Sequence, residues 1–562
     1  MKTNRRKFIQ NAGAGAAGLT FGATAISLAE CTSSDNKRED GQILFIGDNI
    51  AVAETSYGRV RGFIHKDIYN FLGIPYGADT TGKNRFIPPQ KPDPWKDVYP
   101  AVYWPNAAPQ LLDNFYANRY LAFTDCWHYD EVSENCLGIN VWTPGYKDNM
   151  KRPVLLWIHG GGFTSGNSIE HPEYHGENLC RLGDIVFCSL NHRLGPLGFA
   201  DLSGIGGEKY AASGIAGMLD IVAALEWIRD NISNYGGDPG NVTIMGQSGG
   251  GAKVCTLTAM PLAKGLFHKA VALSGSSIMS GVREDSEKLG AYIMKEAGLP
   301  SSRIDELQLL HWKEFYQIAA RANTKFTVDS GPVDSRIRRG FNPVVDGHFL
   351  PQHPFYPGAS DLAAEIPMLI CSTFYERTPS AFDSSLENIT LDEAKKLIKE
   401  IRGFGARIGE NSSEVIDAYA RVFPDRKPVE ILSLVISNRK NAIAVADAKS
   451  QQAAPVYLAW FGWNPPLFDN RLRAFHTLDI CFWFYNTDVH ISHSGGGARP
   501  RKLSAKMAGA LIQFMKTGNP NGGGLPEWPK YTSGIGETMV FDDECTMKND
   551  PDREARKVLE DN

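Results

Sequence analysis

The sequence predicts an α/β protein with a central, mostly parallel sheet that is flanked by helices. Three runs, the unbroken apolar residues 154–158 and the largely apolar residues 185–190 and 367–372, are typical of strands that are buried on both faces. Residues 215–232 place apolar side chains three and four positions apart, which predicts a helix packed on the sheet. Strands and helices that alternate in this way form right-handed crossover units, so we expect a doubly wound arrangement.

Composition and charge set the size and class of the protein. The chain has 562 residues, 43% of them hydrophobic and 22% charged, and its formal net charge is -5. It has neither an internal repeat nor a basic stripe of the type that binds nucleic acid, so no nucleic-acid partner is expected. We predict a single domain over residues 49–550, followed by a charged tail at residues 551–562.

The nine cysteines show no metal-ligand spacing, so a structural zinc site is not expected from them. Cys126 and Cys136 are the local pair to test for a disulfide in an exported protein. Cys188 and Cys255 lie in apolar surroundings and are predicted to be buried free thiols.

The first 30 residues resemble an export signal. Paired arginines, Arg5 and Arg6, precede a weakly hydrophobic run rich in glycine and alanine at residues 11–29. This pattern predicts a signal peptide of the twin-arginine type over residues 1–30, which the twin-arginine translocase would read. A transmembrane anchor is the alternative, but the run is short and diluted by glycine.

Two processing routes are open at the end of the signal. Cleavage after Ala29 would release the chain, whereas lipidation of Cys31 would attach it to the membrane, with residues 31–48 as a polar tether. Either route exports the protein, so we expect a periplasmic or extracellular location.

The predicted domain opens with strands at residues 51–55 and 58–63, whose alternating pattern indicates an edge hairpin. A strand resumes at residues 136–144. The first of the buried strands then leads directly into His-Gly-Gly-Gly-Phe at residues 159–163. Glycines in this position leave backbone N–H groups open to a developing oxyanion, although a flexible glycine turn would look the same.

A strand–turn–helix transition carries the candidate nucleophile. The apolar residues 242–245 lead into Gly-Gln-Ser-Gly-Gly at residues 246–250, and small residues that can begin a helix follow. A sharp turn of this kind lifts a serine hydroxyl above the sheet edge. Ser248 is therefore predicted to be a nucleophile that shares one site with the glycines after His159.

The glycine segment at residues 159–163 is one of ten that occur in order along the chain, with residues 73–76, 85–86, 134–137, 140–142, 193–195, 236–239, 273–276, 343–347 and 518–520. With these segments in order, the chain resembles the type-B carboxylesterases, which include bacterial para-nitrobenzyl esterases and the cholinesterases. The resemblance covers roughly residues 50–545. It implies the α/β-hydrolase fold, with long loop and helix insertions over an active-site gorge, and the hydrolysis of carboxylic esters.

The resemblance also implies the rest of the site. Glu376 follows the buried strand 367–372 as the triad acid, and His476 precedes an acidic residue and an aromatic run as the base. A serine needs a histidine to take its proton, and the histidine needs a carboxylate to orient it. The substrate is expected to be a small-molecule ester, and no metal or organic cofactor is expected. The oxyanion hole carries over as the N–H groups of Gly161, Gly162 and Gly249.

Two other functions occur on the same scaffold. Relatives without the nucleophile are non-catalytic binding or adhesion proteins, and a lactonase or peptidase would use the same triad. The presence of Ser248, Glu376 and His476 favours an exported serine carboxylesterase that forms an acyl-enzyme intermediate.

Several residues near the site depart from the family pattern. Gln247 replaces a glutamate and Gly249 an alanine on either side of the nucleophile, and Arg377 replaces a glycine after the acid. A cation at position 377 would compete with His476 for the carboxylate of Glu376.

Aromatic runs at residues 374–375, 460–463 and 482–485 fit either pocket walls or core packing. Residues 113–130 are expected to overhang the gorge.

Overall fold

The computed structural model describes residues 41–111, 120, 123–124, 131–331, 337–401 and 411–560. The chain divides into two compact units, Met1–Gln42 and Ile43–Asn562, and the account below concerns the second. The predicted signal peptide and Cys31 lie outside the described residues, as do Cys126 and most of the predicted overhang at residues 113–130.

The described strands, in chain order, are β1 (Leu44–Phe45), β2 (Val52–Thr55), β3 (Gly58–Arg61), β4 (Phe63–His65), β5 (Ile68–Pro75), β6 (Tyr99–Pro100), β7 (Gly138–Thr143), β8 (Arg152–Ile158), β9 (Val186–Leu190), β10 (Gly237–Gln247), β11 (Lys269–Leu273), β12 (Gly281–Val282), β13 (Val344–Val345), β14 (Met368–Thr373), β15 (Val456–Phe461), β16 (Glu537–Phe541) and β17 (Thr546–Asn549). Twelve of them form the central sheet, in the order β1-β4-β5-β7-β9-β8-β10-β11-β14-β15-β16-β17. The run from β9 to β16 is parallel, and antiparallel strands extend it at both ends.

The described α-helices are α1 (Glu177–Gly183), α2 (Gly195–Phe199), α3 (Ser203–Gly206), α4 (Ala216–Asn231), α5 (Gly249–Leu257), α6 (Arg283–Ala297), α7 (Trp312–Ser330), α8 (Leu391–Leu397), α9 (Ser412–Val422), α10 (Pro428–Val435), α11 (Arg439–Ser450), α12 (Asp479–Trp483), α13 (Ile491–Ser494), α14 (Ala498–Thr517) and α15 (Arg553–Glu560). The α/β fold predicted from the buried runs is confirmed, with helices on both faces of a mixed sheet.

Strand β8 shows how the sequence builds these layers. Successive side chains of a strand point to opposite faces. Leu156 therefore lies in one core with α4, and Leu155 and Trp157 lie in the other with α14. Both faces of β8 are covered, which is why this segment reads as an unbroken apolar run. In the next strand, Ile244 pairs with Leu156 and continues the same layer.

The remaining elements lie around this sheet. Strands β2 and β3 form the predicted antiparallel hairpin, which joins β6 in a separate three-stranded sheet. Helices α6 and α7 enclose a third apolar cluster. Cys188 and Cys255 are buried free thiols as predicted, and Cys136 is also a buried free thiol.

Among the described residues, no single helix has the length and apolar character needed to cross a membrane. Two helical stretches that meet at a bend of 88°, Ser203–Tyr210 and Ser213–Tyr235, satisfy these two criteria only when taken together.

A buried ion pair joins the loop after β9 to α4. The guanidinium of Arg193 donates to both carboxylate oxygens of Asp220, at 2.9 and 2.6 Å, and both side chains are almost fully buried. Removing one partner leaves an unpaired charge in the core, which costs about 3–5 kcal/mol.

We therefore expect Asp220→Asn to lower the free energy of unfolding by about 3–5 kcal/mol. Urea unfolding followed by tryptophan fluorescence measures this loss. Asp230→Asn is the matched control, because Asp230 pairs with Arg229 on the exposed surface, where such a pair contributes about 0–1 kcal/mol. Equal losses in the two variants would contradict the assignment.

Candidate active site

Ser248 stands at the junction of β10 and α5, between the last residue of the strand and the first residue of the helix. Its backbone has φ 57° and ψ -121°. A positive φ is unfavourable for a residue with a side chain. The Ser248 N–H donates to the carbonyl of Leu273 on β11 at 2.8 Å, which helps to hold the turn. The serine is half-buried and lines a cavity.

His476 and Glu376 are in direct contact, 100 residues apart in sequence. Glu376 follows β14, its side chain is fully buried, and its carboxylate accepts a hydrogen bond from Nδ1 of His476. The backbone N–H of Thr373 approaches the second carboxylate oxygen at 3.4 Å. A carboxylate only accepts hydrogen bonds, so Nδ1 carries the proton and Nε2 of a neutral ring is left as the basic nitrogen. This is the tautomer that a general base requires.

A second carboxyl group, that of Asp479, lies close to this pair. Asp479 is fully buried at the start of α12 and accepts a hydrogen bond from the indole N–H of Trp483 at 3.3 Å. Burial, and then the nearby charge of Glu376, raises the pKa of Asp479 well above its ordinary value. Glu376 is the carboxylate that contacts His476, and the raised pKa of Asp479 disfavours a second negative charge beside it.

Gln247, the residue before the nucleophile, forms a hydrogen bond to the loop that carries His476. Its side-chain amide donates to the backbone carbonyl of His476 at 2.6 Å. A glutamate, the usual residue of the family at this position, could not donate to that carbonyl in its ionised form. The departure noted in the sequence thus has a structural role, because Gln247 links the end of β10 to the loop that carries the base.

The candidate oxyanion loop follows β8. Gly161 has φ 76°, and a side chain there would lie 2.2 Å from the carbonyl of Ser165, so the turn requires glycine. Gly249 faces this loop closely, because a Cβ at position 249 would lie 2.4 Å from the backbone nitrogen of Gly162. The alanine usual in the family would not fit this arrangement. The three predicted oxyanion residues, Gly161, Gly162 and Gly249, are therefore brought together.

The sequence analysis did not identify Lys253, which forms hydrogen bonds to the backbone of the oxyanion loop. This lysine is completely buried on α5, one turn after the nucleophile, and its ammonium group donates to the carbonyls of His159 and Gly160 at 3.0 and 3.4 Å. Burial lowers the pKa of Lys253 to about 7, against a smaller opposing effect of Glu170. Burial, and then the neighbouring Lys253, lowers the pKa of His159 well below its ordinary value, so His159 is neutral.

The cavity beside Ser248 has a volume of about 700 Å³. Ser248, Glu376, His476 and Gly161 all line it, so the structure gathers the three predicted triad residues around one space. Arg377 lines the same cavity and its side chain is exposed. The Glu376 carboxylate contacts Nδ1 of His476 and the backbone N–H of Thr373.

Aromatic residues of the cavity are not those of the long aromatic runs. Phe382, Phe475 and Tyr174 line it, whereas the runs at residues 460–463 and 482–485 are packed largely in the core. Of the predicted overhang, Tyr120, Phe123 and Thr124 are described, and the ring of Tyr120 stacks on Phe382 with the ring centres 5.7 Å apart.

Comparison with known proteins decides the family. The sequence model of the carboxylesterase family matches residues 49–558. The chain belongs to the carboxylesterase family. It is 33% identical over 516 residues to the para-nitrobenzyl esterase of Bacillus subtilis (strain 168), a match that covers 90% of this chain and 98% of that protein. It is also 29% identical over 506 residues to the phenmedipham hydrolase of Pseudarthrobacter oxydans, covering 88% of this chain and 95% of that one.

Solved structures agree with this assignment. An esterase from the anaerobe Clostridium hathewayi, described as able to hydrolyse aliphatic aromatic polyesters, superposes with a TM-score of 0.78 at 32% identity, covering 92% of this chain and 99% of that one. A para-nitrobenzyl esterase structure superposes with a TM-score of 0.73 at 31% identity, covering 90% and 99%. The carboxylesterase therefore has the α/β-hydrolase fold and is a carboxylic ester hydrolase.

The buried lysine of this carboxylesterase gives a prediction about pH. Below pH 7 the folded and unfolded chains both hold the proton of Lys253, and the buried charge destabilises the fold. Between about pH 7 and its ordinary pKa of 10.5, the unfolded chain alone keeps the proton. The wild-type protein should therefore gain stability as the pH rises through this range, relative to Lys253→Met, by up to about 1.4 kcal/mol per pH unit.

Urea unfolding of both proteins at several pH values between 7 and 9.5 tests this expectation. Lys288→Met is the control, because Lys288 is exposed on α6 and pairs with Glu284 at 2.7 Å. A stability difference between Lys253→Met and the wild type that does not change with pH would contradict the buried-charge assignment.

Proposed function

We propose that the carboxylesterase cleaves its esters by nucleophilic catalysis at Ser248. The contact of His476 with Glu376, beside a serine held on a strained turn, is the observation that carries this proposal. Nε2 of His476 takes the proton of the Ser248 hydroxyl as its oxygen attacks the ester carbonyl carbon. The tetrahedral intermediate then collapses, the C–O bond to the alcohol breaks, and His476 gives its proton to the departing alcohol.

Hydrolysis of the acyl-enzyme completes the cycle. Water attacks the acyl carbon while His476 accepts a proton, and the acid leaves as the proton returns to Ser248. The charge that develops on the carbonyl oxygen in both steps is assigned to the N–H groups of Gly161, Gly162 and Gly249. Gln247 and Lys253 are assigned as positioning residues, since they hold the base loop and the oxyanion loop.

Short-chain aryl esters are the substrate class that we propose. A cavity of about 700 Å³ lined by Phe382, Phe475 and Tyr174 has room for an aromatic group beside the nucleophile. The relatives support this class, because one is named for the para-nitrobenzyl group and another is described as acting on aliphatic aromatic polyesters.

Ser248→Ala should lower kcat for a para-nitrophenyl ester by about 10⁴-fold or more, with the fold intact by circular dichroism. A fluorophosphonate probe should label the wild-type protein at Ser248 and leave the variant unlabelled. Undiminished activity of the variant would contradict the proposal. A panel of esters, lactones and peptides assayed on the wild type separates an esterase from the two other hydrolases that share this scaffold.

We also propose that the carboxylesterase is exported by the twin-arginine translocase and acts in the periplasm or outside the cell. The support is the Arg5-Arg6 pair before a weakly apolar segment, together with the start of the family match at residue 49. Attachment of a lipid to Cys31 would then hold the enzyme at the membrane.

Replacing Arg5 and Arg6 with lysine should leave the full-length precursor in the cytoplasm, as seen by fractionation and immunoblotting. Cys31→Ala should release a membrane-bound protein into the soluble exported fraction if that cysteine is lipidated. Normal export of the twin-lysine variant would contradict the translocase assignment, whereas Cys31→Ala tests lipidation alone.

A further inference from the structure

Three histidines form a buried cluster beside the active-site cavity. His171 lies in the segment after the oxyanion loop, and His490 and His493 lie at the start of α13. Each of the three residues offers one ring nitrogen to the cluster, and these three nitrogens lie within 4.8 Å of one another. All three side chains are nearly or completely buried.

Glu173 completes the cluster with a carboxylate. Its Oε2 atom contacts Nδ1 of His490 and lies 3.4 Å from Nδ1 of His493. The residue is fully buried, and its other oxygen has no hydrogen-bond partner within the described parts of the chain. A buried carboxylate oxygen without a partner is costly unless something else satisfies it.

We propose that His171, His490 and His493, together with Glu173, bind a divalent transition-metal ion, with zinc as the ion of choice. Imidazole nitrogens and a carboxylate oxygen are ligands that zinc prefers. A tetrahedral ion with Zn–N bonds of about 2.0–2.1 Å holds its ligand atoms roughly 3.4 Å apart. The rings therefore close around the ion by side-chain shifts on the order of 1 Å.

A contact outside the cluster orients His490. Nδ1 of His490 faces Glu173, and Nε2 of His490 lies 3.0 Å from the carbonyl of Thr124. A carbonyl only accepts hydrogen bonds, so Nε2 carries a proton and donates to Thr124. Nδ1 is then the nitrogen that faces the proposed ion, and the Nε2–H contact to Thr124 fixes the ring as a ligand. A histidine binds the ion in its neutral form, so a proton displaced from the cluster on binding passes to the solvent.

The rest of the cluster is held firmly. Asn486 donates from its side-chain amide to the carbonyls of Glu173 and His175, at 2.7 and 2.9 Å. The rings of His490 and His493 stack with their centres 3.6 Å apart. Ligands from the segment after β8 and from α13 are thus fixed against each other before the ion arrives, which lowers the entropy that binding must overcome.

The position of the cluster gives the site a consequence for the enzyme. His171 and Thr124 both line the cavity that holds Ser248. An ion bound to His171 and His490 would fix this part of the cavity wall. We therefore assign the metal a structural role, separate from the reaction at Ser248.

The test uses full-length mature protein that has been dialysed against a chelator and then titrated with Zn²⁺ by calorimetry. The expected result is saturable binding of about one ion per chain, release of protons shown by a heat that depends on the buffer, and a rise in Tm on loading. Loading with Co²⁺ should give the visible absorption of a tetrahedral site. Glu173→Gln removes the charged oxygen ligand and should weaken binding by at least the roughly 10-fold that loss of a supporting partner costs.

His171→Ala and His493→Ala should each abolish the saturable binding, and His65→Ala is the matched control. His65 contacts Glu177 at 2.7 Å, so it repeats the imidazole–carboxylate pairing outside the cluster. If His493→Ala does not fold, zinc binding by His171→Ala, a substitution at the cavity wall, is compared with binding by the wild type and by His65→Ala. The absence of saturable binding by the wild type would overturn the proposal. So would equal binding by wild type and both cluster variants, which would indicate adventitious surface binding.

Discussion

The parallel run of strands from β9 to β16 is the constraint on which the rest of the molecule depends. Parallel strands direct their carboxyl ends to the same edge of the sheet, so the loops that follow β8, β10, β14 and β15 meet there. Those four loops carry, in order, the oxyanion glycines, Ser248, Glu376 and His476. The register is fixed because both faces of these strands are buried, and a slip by one residue would move every apolar side chain to the opposite face.

Convergence at one edge brings the loops near each other, but hydrogen bonds between loops set their final positions. Gln247 connects the nucleophile turn to the carbonyl of His476, and Lys253 connects the following helix to the carbonyls of His159 and Gly160. Each bond starts within five residues of Ser248 and ends on a different loop. The short segment around the nucleophile thus positions both the base loop and the oxyanion loop, which explains why its polar side chains are buried.

Local sequence patterns predicted the buried strands, the turn at Ser248 and the glycine loop, because apolar runs and glycines have direct consequences for the backbone. The resemblance to carboxylesterases pointed to Glu376 and His476, which no local pattern distinguishes from other acids and histidines. The hydrogen-bond partners of Lys253 and Gln247 could not be predicted from the sequence, since these contacts join segments that are far apart in the chain. The cluster of His171 with His490 and His493 was missed for the same reason, because His171 lies more than 300 positions before the other two histidines.

The two unusual residues beside Ser248 are best understood together. Gly249 allows the backbone of Gly162 to approach more closely than an alanine would permit, and Gln247 donates where a glutamate could only accept. Restoring alanine alone would push the oxyanion loop away from the nucleophile, while Lys253 still held that loop from the other side. Restoring glutamate alone would place a carboxylate against the carbonyl of His476. Neither family residue fits this site singly, because each departure is matched to a neighbouring loop. Since both residues flank the same nucleophile, their effects on activity should not be additive.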